Sequence, residues 1–154
     1  MQKINFEDYP STNTPIDADN LNDLQDNVED AINLVQENLT PVVLFIGTST
    51  TKDNITLNDS AANYTYLEIF YHTAIATSSY ESTKIYNPNG KNINLSSVHR
   101  DTSQGVLFFM SKLMLINGTQ ITTTRIGQSY VYNGSENSIS ETDSIVIDRV
   151  IGYK

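Results

Sequence analysis

At 154 residues, with 38% hydrophobic side chains including nine Tyr and five Phe, the chain has the material for one modest globular domain and an appendage. It has no cysteine, which excludes a disulfide framework and any thiolate metal site. A net charge of −9 without a basic stripe opposes the phosphate attraction on which nucleic-acid binding depends.

The charge is unevenly placed. Residues 1–40 carry nine acids against Lys3 alone, a net of −8, whereas residues 41–154 carry nine acids and eight bases, a net of −1. Two regions are therefore expected, an anchor segment with an acidic helix at 1–40 and a separate body at 41–154. The opening residues from Met1 lack the apolar stretch of a secretory leader, and no run of about 18 apolar residues occurs, so folding in a cytoplasm without membrane insertion is expected. The seven Asn-X-Ser/Thr triplets, from Asn38 to Asn133, then reflect richness in Asn, Ser and Thr rather than glycan attachment.

The helix is predicted to begin after Pro15, with Asp17 or Asp19 as N-cap and acids in the first turns, and to stop at Pro41. Leu21, Leu24, Val28, Ala31, Ile32, Val35 and Leu39 recur at steps of three and four and form one apolar stripe with the 3.6-residue period of a straight helix. The stripe has two possible uses: docking on the protein's own β body, or bundling with the helices of other copies as a stem. The acidic face has no base to pair with across a parallel bundle, but exposed charges are screened within about 10 Å at 0.1 M salt.

The run KINFEDYPSTNTPIDADNLN from Lys3 to Asn22 resembles the N-terminal signature of small structural proteins of tailed phages and prophages, among them tail-fibre, baseplate and head-fibre components. The closing run IVIDRVIGYK from Ile145 to Lys154 is similar to the last strand of several of their tip domains. The resemblance implies a virion protein assembled in the bacterial cytoplasm. It further implies a segment that anchors to other virion proteins or begins a trimeric stem, and a tip that meets the host.

From Pro41 onward the sequence reads as short strands, predicted near 42–47, 54–57, 64–72, 82–86, 93–98, 106–116, 119–126, 129–132 and 144–153. Asn89-Gly90, Asn117-Gly118 and Asn133-Gly134 lie between strand-like runs and predict type I′ hairpins, hence mainly antiparallel sheets. Over 64–72 the alternation places Thr65, Leu67, Ile69 and Tyr71 on the core face, with Tyr64, Tyr66, Glu68, Phe70 and His72 on the other. The continuously apolar Val106 to Met110 predicts a central strand, buried on both faces or covered by a neighbouring subunit. The fold class expected is mainly β: an N-terminal α-helix followed by a jelly-roll-like antiparallel β-sandwich.

Little in the sequence speaks for catalysis. His72 and His99 stand singly, the first expected as a cross-strand partner and the second in an exposed loop, and no motif offers a metal or cofactor site. His99, Arg100 and Asp101 match a kinase catalytic loop in letters only, since the glycine-rich loop and strand lysine are missing. The acids of the body are scattered rather than paired as glycoside hydrolysis requires. Aromatic and amide side chains near turns, Tyr80, Tyr86, Asn87, Asn89, Tyr130, Tyr132 and Asn133, are the candidates for holding a carbohydrate, although solvated hairpins use the same residue types. The reading is a non-enzymatic, homotrimeric virion fibre or receptor-binding component whose tip binds a host surface glycan. Its alternative is a capsid or baseplate decoration or assembly protein that never touches a host.

Overall fold

A computed structural model describes residues 18–49, 54–74, 76–102, 106–132, 137–140 and 145–154. The chain divides into two units at the junction of Thr40 and Pro41. In the first, helix α1 spans Ala18–Leu39, about 33 Å at 1.5 Å per residue. Asp19 lies within its first turn, where the helix dipole favours an acid, and so is not the cap; Asp17 lies outside the described residues. At the other end the Thr40 hydroxyl donates to the Gln36 carbonyl at 2.8 Å, satisfying one open acceptor of the last turn before Pro41 ends the helix.

The second unit contains nine strands among the described residues: β1 (Val42–Ser49), β2 (Ile55–Thr56), β3 (Tyr66–Thr73), β4 (Ala76–Tyr86), β5 (Asn92–Asp101), β6 (Val106–Asn117), β7 (Gln120–Tyr132), β8 (Asn137–Ser140) and β9 (Ile145–Tyr153). They form two sheets, one ordered β1-β9-β3-β4 and the other β2-β7-β6-β5 with β8 added to β7, and every pairing is antiparallel. A single apolar cluster joins them, with Leu44, Leu67, Ile69, Ile147 and Val150 from one sheet and Ile55, Leu95, Met114, Ile116 and Ile121 from the other. The architecture is thus a two-layer antiparallel sandwich following an N-terminal helix. Strands β5, β6 and β7 form a meander within one sheet, whereas successive jelly-roll strands mostly alternate between sheets, so the analogy extends to the layers and not to the strand order.

Polar ties cross the core where an apolar contact would not fix the register of one sheet on the other. The Tyr71 hydroxyl donates to the Ser96 carbonyl at 3.0 Å, and the Ser97 hydroxyl donates to the Glu81 carboxylate. Lys112, fully buried on the inner face of β6, donates to the carbonyl of Ile145 at 3.3 Å. Burial of the neutral phenol and the nearby Glu81 carboxylate both raise the pKa of Tyr71.

The alternation predicted for 64–72 is found in β3, where Leu67, Ile69 and Tyr71 are buried and Tyr66, Glu68, Phe70 and His72 lie on the opposite face. Two residues before that strand depart from it: Thr65 is exposed and Tyr64 is buried, because the chain is still turning out of a short 3₁₀ segment at Ala61–Asn63. The central position of 106–116 is also found, between β7 and β5. Its burial is one-sided, however: Met110, Lys112, Met114 and Ile116 enter the core while Phe109 and Leu113 stand exposed on the other face. The runs 119–126 and 129–132 are one strand, β7, and His99 is not in a loop but in β5, half-buried beside Phe108 at 6.4 Å between ring centroids.

Two of the Asn-Gly turns differ from type I′. In the β6–β7 hairpin Asn117 pairs with Gln120, so the two loop residues are Gly118 and Thr119, and only Gly118 has a positive φ, +57°. That is the pattern of a type II′ turn, with glycine at the first central position. Asn89-Gly90 joins β4 to β5, which lie in different sheets, so it makes a crossing rather than a hairpin. Asn133 and Gly134 lie outside the described residues.

Candidate functional site

The face of the four-stranded sheet that looks away from the core carries a cluster of aromatic and charged side chains, among them Tyr66, Glu68, Phe70, His72, Tyr80, Asp148 and Arg149. Regular alternation along β9 would send Asp148 outward and Arg149 inward. Instead β9 bulges: Phe70 of β3 pairs with Arg149 and Tyr71 with Ile147, leaving Asp148 as the extra residue. Ile147 and Val150 keep their places in the core while Asp148 and Arg149, adjacent in sequence, both reach the outer face. A bulge is the ordinary device for re-aiming a side chain in this way.

The two charges then part company. Asp148 Oδ2 lies 2.7 Å from His72 Nδ1, and because a carboxylate only accepts, the ring nitrogen facing it carries the proton. The guanidinium of Arg149 lies over the Phe70 ring at 4.7 Å, a cation–π contact. Tyr80, directly across from His72 in the β3–β4 register, meets that imidazole edge-on at 5.5 Å and remains 64% exposed. With Ile46 of β1 these residues border an open groove of about 530 Å³ lined by Ile46, Phe70, Tyr80, Asp148 and Arg149.

Farther along the same face the side chains satisfy one another. Tyr66 stacks on Tyr153 at 4.4 Å and meets Tyr86 at 5.2 Å, and the Lys84 ammonium stands 5.4 Å from the Tyr66 centroid. Glu68 accepts from the Ser82 hydroxyl at 3.0 Å and from the Tyr153 hydroxyl at 3.1 Å. Burial, and then that bond to Glu68, raise the pKa of Tyr153. This half of the face is a closed ladder of cross-strand pairs, while the half around the bulge has open space.

The sequence candidates are spread over the sandwich. Tyr80 lines the groove. Tyr86 is on the same face but six residues along β4, about 20 Å away at 3.3 Å per residue. Asn87 and Asn89 serve the chain itself: Asn87 takes a left-handed φ of 47° and donates its N–H to the Thr65 carbonyl, and the Asn89 side chain accepts from Gly118 N–H at 2.8 Å. Tyr130 and Tyr132 stand on β7 in the other sheet, opposite Phe109 and Leu107, and Asn133 lies outside the described residues. Phe70, Asp148 and Arg149 were not singled out from the sequence; the one available signal was the adjacency of Asp148 and Arg149 inside an otherwise apolar strand.

The helix presents a second feature. No residue of α1 is buried, Leu21 is half-buried, Ala31 is exposed, and the larger stripe residues Leu24, Val28, Ile32, Val35 and Leu39 range from 41% exposed at Ile32 to 75% at Leu39. Among the described residues no three potential metal-ligating side chains converge, and no helix is long and apolar enough to cross a membrane.

The fold is an antiparallel β-sandwich with an open groove on the outer face of its four-stranded sheet. Neither a protein-family model nor a curated protein matches the chain.

Proposed function

We propose that this protein is a virion fibre or receptor-binding component of a tailed phage, in which the acidic helix anchors and trimerises the subunits and the sandwich binds a host surface glycan. The observation that carries the binding half is the groove of the four-stranded sheet. Phe70 and Tyr80 supply aromatic rings against which the apolar face of a sugar can lie, and the bulge adds a carboxylate and a guanidinium to engage its polar edge. The anchoring half is supported by the exposed apolar stripe, which costs solvation free energy unless another surface covers it.

Binding without turnover fits the same groove. Glycoside hydrolysis uses two carboxyl groups, whereas Asp148 is the one carboxylate among the described lining residues and is already held by His72. A single shallow site of this kind binds weakly, and three copies on one stem would multiply its strength through effective concentration.

The test is binding of the full-length protein to cells of the host bacterium. Saturable binding that Phe70→Ala weakens at least tenfold supports the reading. Absence of saturable binding favours the alternative, a capsid or baseplate decoration protein without a host ligand.

A further inference from the structure

We propose that the ligand of the groove is an acidic saccharide, and that Arg149 receives its carboxylate. The proposal rests on reading the groove as a glycan site and goes further by naming the chemical class of glycan.

Glu68 is bonded to Ser82 and Tyr153, Asp148 to His72, and Lys84 stands over Tyr66. Arg149, like Lys84, stands over a ring, but of these two bases it is Arg149 that lines the groove. Its neighbour in sequence is an acid on the same face, to which the bulge brings Arg149, yet that acid is bonded to His72 instead. Among the described residues the guanidinium's contact is the Phe70 ring, and a ring face accepts no fork of hydrogen bonds. The five N–H donors of arginine lie in the plane of the group and match a carboxylate through two parallel bonds. The Phe70 ring, 4.7 Å from the guanidinium carbon, already restrains the side chain, so less rotamer entropy is lost when the bonds form.

The rest of the groove fits the remainder of such a ligand. Tyr80, 64% exposed, offers its ring to the C–H face of a pyranose, and Phe70 lines the same groove. Asp148 uses Oδ2 for His72, which leaves Oδ1 to accept from a sugar hydroxyl at the groove wall. Residues 41–154, which build the groove, carry a net charge of only −1 and of themselves oppose an anion little.

The experiment is calorimetric titration of the full-length protein with oligosaccharides of glucuronate, galacturonate and N-acetylneuraminate, each beside its own methyl ester, which removes the charge and keeps the ring. The expected result is that at least one acid binds tenfold or more tightly than its ester. Arg149→Gln should bring the pair to equal affinity and Arg149→Lys should recover only part of the difference. Esters that bind as tightly as acids overturn the carboxylate assignment and leave the glycan reading standing. Acid binding that survives Arg149→Gln overturns the role of Arg149. Acids that bind no better than acetate, or a full panel without binding, overturn the acidic-saccharide proposal, while the glycan reading itself stands or falls on the host-cell binding test. Arg149 is exposed, so thermal unfolding of both variants should match the parent and separates these outcomes from misfolding.

Discussion

The Tyr64 ring lies so close against Gly152 that a Cβ on the glycine would come within 2.5 Å of the ring's Cδ1. Gly152 is on β9 and Tyr64 precedes β3, so the missing side chain is what lets the ring close over the end of the sheet. Gly152→Ala is expected to force a buried aromatic ring to shift and to destabilise the sandwich by about 1–3 kcal/mol. Urea unfolding of the variant beside the parent checks this, and equal midpoints would show that the ring moves freely.

The same tyrosine gives the stability a dependence on alkaline pH. Burial first, and then the bond from its hydroxyl to Asp59 at 3.0 Å, push the Tyr64 phenol up to about 12. A group raised in the folded state contributes fully below its unfolded value near 10 and loses that contribution as pH climbs through the folded value. Stability should therefore fall between about pH 10 and pH 12. Tyr64→Phe should reduce that slope without removing it, since Tyr71 and Tyr153 are raised as well. Asp59 behaves in the opposite sense: the backbone N–H of Ser60, and then the Tyr64 hydroxyl, hold its carboxyl below the usual value, so its contribution is lost as pH falls through the folded value. Denaturant midpoints measured across both ranges test the pair.

His72 and Asp148 are both largely withdrawn from water, at 11% and 24% side-chain exposure, so their bond is more than a surface contact. Asp148→Ala is expected to cost about 1.5–3 kcal/mol, the range for a hydrogen bond to a charged group. It should also weaken ligand binding, because Asp148 itself lines the groove. A variant with unchanged stability would show that the imidazole finds an equivalent partner.

For the helix, the account expects a trimer of about 52 kDa from a chain of 17.2 kDa. Placing Asp at both Val28 and Ile32 puts charge in the middle of the stripe and should return the protein to a single-chain mass. Sedimentation equilibrium measures this directly. A parent protein that stays at 17.2 kDa at micromolar concentration would contradict the stem. Raising the salt concentration should strengthen the trimer by screening the acids of neighbouring helices.

The core was legible where alternation was simple. Leu67, Ile69 and Tyr71 could be assigned from the sequence because polar and apolar residues exchange at every step of β3. In β6 the same period is masked, since Phe109 and Leu113 make the outer face apolar and a lysine, Lys112, sits in the core. The groove was illegible for a different reason. His72 and Asp148 are 76 residues apart, and what joins them is the register of β3 on β9 together with one extra residue in β9. Composition near turns pointed instead to Asn87 and Asn89, whose polar groups the chain uses to make the crossing from β4 to β5. Local chemistry marks turns well, but a site built across strands depends on pairing.

The central claim is that the outer face of the four-stranded sheet, at the bulge of β9, is where a saccharide binds. Amide chemical-shift mapping of the full-length protein, titrated with the tightest-binding oligosaccharide, tests it most directly. The account predicts that the largest shifts cluster at Phe70, His72, Tyr80, Asp148 and Arg149. Shifts confined to the turns at Asn89 and Gly118, or to the other sheet, would contradict it.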